Sequence, residues 1–144
     1  MNIKEYLSRY HNTQVKIEKL EMIVAEYIRL ANSIPGINYD QIRVDGTKSL
    51  EAPFEKWILR ALNDEAEIEQ LKRALPIIKG EIITAIETLT DSDLKRLLIL
   101  RYIDWLSWSE ISKLMFFSTA TIRRLHDKAL LEIKELLNGK AEQA

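Results

Sequence analysis

The chain has no cysteine, so neither a disulfide framework nor thiol chemistry is open to it. Four glycines and three prolines in 144 residues leave few places for tight turns and argue against a fold of many short strands. No apolar run approaches the roughly 18 residues that a membrane-spanning helix needs, and the N-terminus is already amphipathic, unlike a cleavable leader. The expected setting is the cytoplasm, with no membrane partner. Histidine is scarce as well: His11 and His126 are the only two, and neither has a second ligand at His-Glu-x-x-His or similar spacing. No glycine-rich loop follows a strand, which excludes a P-loop or a dinucleotide fold. The carboxylates alternate with Lys and Arg along helix surfaces, as in Glu18 with Lys19 and Glu67 to Lys72, and solvation explains them without catalysis. The chain therefore reads as a non-enzyme with no catalytic residue, cofactor or metal.

Hydrophobic residues make up 47% of the chain, at helical rather than alternating spacing. From about Asn2 to Asn32 one seam carries Ile3, Tyr6, Leu7, Tyr10, Ile17, Leu20, Val24, Tyr27 and Leu30 or Ala31, interrupted at Thr13-Gln14. A second run, from about Ala52 to Leu75, repeats the pattern with Phe54, Trp57, Ile58, Ala61, Leu62, Ile68, Leu71 and Leu75. Neither seam can stay bare in water, so the two pair as a coiled-coil-like hairpin, either pairs with its copy in another chain, or they form a partner-binding groove. Between them, residues 33–51 break helical spacing at Pro35-Gly36 and Asp45-Gly46, the latter a candidate small hairpin turn. Pro76 either opens a helix from Ile77 to Leu89 or sits inside a longer one. The fold expected is all-α: a long-helix hairpin region over 1–88, then a helix-turn-helix domain over 89–144.

That second region carries three helix starts in succession. Thr90 is read as the first N-cap, with Asp93 three residues on and Leu89 and Leu94 clasping across it. Ser107 and Glu110 form a full capping box, stapled by Leu106 and Ile111. Ser118 caps the third helix, with Phe117 and Ile122 as the staple and Thr121 in the place of the acid. Only about two turns fit between Ser107 and Ser118, so a short helix must cross a longer one steeply. Ile111 and Leu114 are expected to face Phe117, Ile122 and Leu125, with Ser112 giving room for close approach and Trp108, Leu97, Leu98, Leu100 and Tyr102 closing the small core.

With Ile122 at the centre of the inward face, steps of 100° put Leu125, Ala129 and Ile133 inward and Ala120, Arg123, Arg124 and Asp127 outward. Arg123 and Arg124 can each present a planar fork to guanine or phosphate. Thr119, Ala120 and Thr121 allow close approach and offer methyl groups to thymine, and Lys128 suits a phosphate. His126 is read as a surface residue near that face. Leu131, also outward, is an exposed apolar residue available to a second copy.

The stretches from Leu94 to Asp104, Leu106 to Met115 and Ser118 to Leu130 resemble, without a gap, region 4 of sigma factors. They resemble more closely still the small phage and prophage transcriptional regulators of the ArpU and RinA late-activator type. The resemblance covers about 45 residues and implies DNA contact by Thr119, Ala120, Arg123 and Arg124, with Lys128 on the backbone side. It further implies control of phage or prophage late genes and activation together with RNA polymerase. Many such proteins have Gly in the turn where this chain has Phe116, so the turn must change shape or hold Phe116 at positive φ.

The formal net charge is −1, low for a nucleic-acid binder. From Leu94 to Lys140, however, nine Lys or Arg stand against five Asp or Glu. One copy should bind double-stranded DNA weakly, and a homodimer reading two half-sites is the ordinary remedy. Two other roles stay open to the same sequence: a phage packaging or replication protein using this module, and a helical protein-protein adaptor.

Overall fold

A computed structural model describes residues 2–33 and 54–143. All regular elements among them are helical, and the chain is all-α. They are α1 (Ile3–Asn32), α2 (Glu55–Glu87), α3 (Ser92–Leu98), a π-helical turn (Ile99–Ile103), α4 (Trp108–Met115) and α5 (Thr119–Gln143). The irregular stretch expected at 33–51, with its hairpin at Asp45-Gly46, lies outside the described residues apart from Ser33. The Ser33 hydroxyl donates to the Leu30 carbonyl at the end of α1.

Two compact units divide the chain, one of residues 14–74 and the other of residues 1–13 with 75–144. In α1 the division falls at Thr13-Gln14, where the apolar seam is interrupted, and in α2 it falls beside Pro76. Of the two placements open to Pro76, the structure has the second: α2 runs through it from Glu55 to Glu87. No separate helix opens at Ile77, because one missing N–H and one crowded carbonyl do not outweigh the apolar residues on both sides of the proline.

In the unit of residues 14–74, Ile17, Val24 and Ala31 are buried at intervals of seven, as are Phe54, Ala61 and Ile68. A strict seven-residue apolar repeat is the coiled-coil period. The helices run antiparallel here, since Lys16 pairs with Glu67 at 3.3 Å while Tyr27, further along α1, stacks near Trp57, earlier in α2. Glu21 and Lys72 make a second exposed ion pair at 3.4 Å. Exposed pairs of this kind contribute about 0–1 kcal/mol each, so the buried seam carries most of the association. Ala31, not Leu30, completes it: Ala31 is fully buried and Leu30 is exposed.

The other unit is built on a core of Leu7, Ile82, Ile86, Leu89, Leu94, Leu98, Tyr102, Ala129 and Ile133. Residues 1–13 and 75–88 thus belong to the same compact body as α3 to α5, whereas the sequence assigns them to the N-terminal region. Two short helices, a π turn and one face of α5 have too little apolar area to make a core alone, and the ends of α1 and α2 supply the rest. Arg9 of α1 also pairs with Glu81 of α2 at 2.8 Å. A smaller adjoining core gathers Leu97, Ile111, Met115 and Ile122, with Leu106, Trp108, Phe117 and Leu125 packed against it.

The cap of α3 is Asp91, one residue later than the expected Thr90. Its carboxylate accepts from the N–H groups of Asp93 (2.8 Å) and Leu94 (3.3 Å), and a carboxylate there also suits the positive end of the helix. Leu89 and Leu94 still bury in one core. At α4 the capping box forms as read: the Ser107 hydroxyl oxygen accepts from the Glu110 N–H, and the Ser107 N–H donates to Glu110 Oε1, both at 3.2 Å.

α4 ends at Phe116, whose φ of 59° and ψ of 36° are left-handed. Its ring is 92% exposed, so nothing packs on it to offset a conformation that costs a bulky residue about 1 kcal/mol or more. The turn is held by its backbone: the Ser112 carbonyl accepts from the Phe116 and Phe117 N–H groups, and the Ser112 hydroxyl donates to the Phe117 carbonyl. Ser112 therefore ties the turn as well as leaving space. Phe116→Gly should stabilise the chain by about 1 kcal/mol, read as a higher urea midpoint at unchanged m-value; a lower midpoint would mean the ring is held by something else.

Candidate nucleic-acid interface

α5 begins on a cap that leaves its first turn ordered. The Ser118 hydroxyl accepts from the Thr121 N–H at 3.2 Å and donates to Thr121 Oγ1 at 2.9 Å. Thr121 thus takes the place of the acid in the capping box, and its half-buried side chain is engaged with Ser118 rather than turned outward. Among the residues read as DNA contacts, Thr121 is better described as part of the cap.

The inward face of α5 is fixed by Ile122, Ala129 and Ile133, all fully buried, and by half-buried Leu125. Its outward face presents Thr119, Ala120, Arg123, Arg124, Asp127, Lys128 and Leu131, all exposed. The two guanidinium groups are in no ion pair among the described residues, so their donors are free for an external acceptor. Lys113, on α4, is exposed too.

His126 lies elsewhere than expected. It is buried, with 4% of its surface exposed; its Nε2 is 2.8 Å from Tyr102 Oη, and Trp108 meets its ring edge-on at 4.8 Å. Four residues after Ile122, it lies close to the centre of the inward face, and its ring fills space between the π turn and α5. Burial pushes its pKa from 6.5 down to about 4, against the pull of the nearby Asp127 carboxylate. Burial likewise pushes the Tyr102 phenol up to about 12. At neutral pH both are uncharged; Tyr102 Oη and Nε2 share one hydrogen bond, and Nδ1 lies 3.8 Å from Asp127 Oδ1.

Because the folded chain resists a proton that the unfolded chain accepts near pH 6.5, stability should fall as pH drops from about 6.5 through 4, by up to about 3 kcal/mol from this one residue. A proton NMR titration resolves it, since there are only two histidines. The His126 ring should titrate near pH 4, and a midpoint near 6.5 would contradict its placement.

Leu114 also departs from its expected role. It is exposed, and Met115 joins Ile111 in the small core instead, because residues four apart on a two-turn helix share the inward line better than Leu114 does. Arg101, which the motif leaves unassigned, stacks on Trp108 with its guanidinium 4.2 Å from the ring centroid and donates to the Leu106 carbonyl at 2.8 Å. It props the approach to α4 and is not part of the exposed basic face.

No family model matches the chain, and neither a curated protein nor a solved structure matches it. Among the described residues, no group of three or more His, Asp or Glu is placed to hold a metal ion, and no helix is long and apolar enough to cross a membrane.

Proposed function

We propose that this chain binds double-stranded DNA sequence-specifically through the outward face of α5 and regulates transcription of phage or prophage late genes. The observation that carries the reading is the state of Arg123 and Arg124. Both are exposed and unpaired on the first two turns of a helix whose opposite face is locked into a small core. α4 packs against that face through Ile111 and Met115, and the short exposed side chains of Thr119 and Ala120 let the start of α5 approach base edges closely. Lys128 and Lys113 supply phosphate contacts that set register without reading sequence.

Activation with RNA polymerase is the favoured mode, by the sigma-like pattern of residues 94–130. A homodimer gives the contacts that one copy lacks. Met22, Ile23 and Leu59, exposed in the unit of residues 14–74, are apolar surface that a second copy can cover.

Leu114 on α4 and Phe116 in the turn that follows it, both exposed, favour a second reading, in which this module is a protein-docking adaptor. Selection of binding sites from a pool of random duplexes by the full chain separates the two. The regulator should enrich one short motif, repeated at about one helical turn if the chain acts as a dimer. An adaptor should enrich none, even at low salt.

A further inference from the structure

Asp127 is the one carboxylate on the exposed first three turns of α5, and it shares that face with Arg123, Arg124 and Lys128. A negative group facing a duplex lowers affinity for any sequence through repulsion from the phosphates. Its side chain is 81% exposed, and among the described residues the group it approaches is His126 Nδ1 at 3.8 Å. That imidazole is uncharged at neutral pH, so the contact is not an ion pair. Arg123 and Arg124 lie four and three residues before it, at the spacing where helix pairs form, yet neither closes on it. The carboxylate is therefore left pointing outward, one turn beyond the two arginines.

A carboxylate at neutral pH only accepts hydrogen bonds. In the major groove it matches the cytosine N4 amino group, whereas guanine O6 and N7 and thymine O4 are acceptors that repel it, and the adenine N6 amino group stands beside the repelling N7. Resting on the DNA-reading assignment above, we propose that Asp127 is a specificity-determining residue. It accepts from a cytosine N4 amino group about one turn beyond the bases read by the arginines, and it raises the cost of binding wherever that amino group is missing. Its contribution is discrimination, obtained at the expense of general affinity.

The test uses the full chain and the duplex recovered by site selection, with single base-pair changes at each position and an unrelated duplex of equal length, read by fluorescence anisotropy. Asp127→Ala should bind the unrelated duplex more tightly than the native chain does. It should also lose about 5- to 150-fold of discrimination at one cytosine-containing position while keeping it at the others, the range of one good base contact. Asp127→Asn, also an acceptor but uncharged, should recover part of the discrimination. If the native chain prefers a site and Asp127→Ala preserves the preference at every position, the Asp127 assignment is wrong and the DNA reading stands. If the native chain shows no preference among duplexes, both fall. An unchanged melting curve for either variant is expected from the exposure of the side chain.

Discussion

Ile122→Ala should destabilise the chain by about 3–4 kcal/mol, a large share of the ~5–15 kcal/mol that holds a typical domain together. Ile122 is fully buried and packs in the small core with Leu97, Ile111 and Met115. These partners come from α3 and α4, so the cluster joins three elements with α5. Truncation removes the buried methyl groups and leaves a void that none of the three can fill without moving its own cap, and the caps at Ser107 and Ser118 resist such movement. The loss should be read from urea denaturation followed by circular dichroism. Arg124→Ala, on the exposed side of the same helix, should change stability by less than about 0.5 kcal/mol in the same experiment. Equal losses for the two would mean that α5 has no inward and outward side of the kind described.

Much of this arrangement is legible in the residues because the signals are local. The capping box at Ser107 and Glu110 depends on one spacing and one pair of side chains, and it forms as read. The same holds for Ser118, for the extent of α1 and for the exposure of Arg123 and Arg124. Phe116 was legible as a choice, a different turn or a left-handed residue, and the structure has the left-handed one.

What was not legible depends on partners distant in sequence or on residue classes that blur two roles. His126 stands on the inward line of the helical wheel four residues after Ile122, but a polar label hides a ring that buries well once Tyr102 supplies its hydrogen bond. Thr90 and Asp91 are both good caps, and which of them serves is decided by where Leu89 and Leu94 settle in a core shared with Leu7 and Ile82. The joining of residues 1–13 and 75–88 to α3–α5 is a matter of tertiary burial that no capping pattern reports. Asp127 was visible on the outward face, but its significance depends on the burial of its neighbour His126 and on the absence of a pairing arginine.

The central claim, that the outward face of α5 docks on a duplex, is tested most directly by replacing both exposed arginines and measuring binding. Each guanidinium that contacts a base edge is worth about 1–3 kcal/mol, so the pair accounts for roughly 2–6 kcal/mol, or about 30-fold to 10⁴-fold in affinity. Neither side chain contributes to a buried core, so the loss should come without unfolding. The measurement is anisotropy titration of the selected duplex at several salt concentrations, with the native chain beside Arg123→Ala/Arg124→Ala, and with thermal melting of both proteins. The account predicts a loss of at least about 30-fold on the selected duplex, a salt dependence changed little because base-edge contacts release few counterions, and superimposable melting curves. A double variant that melts like the native chain and binds the duplex with undiminished affinity would contradict it.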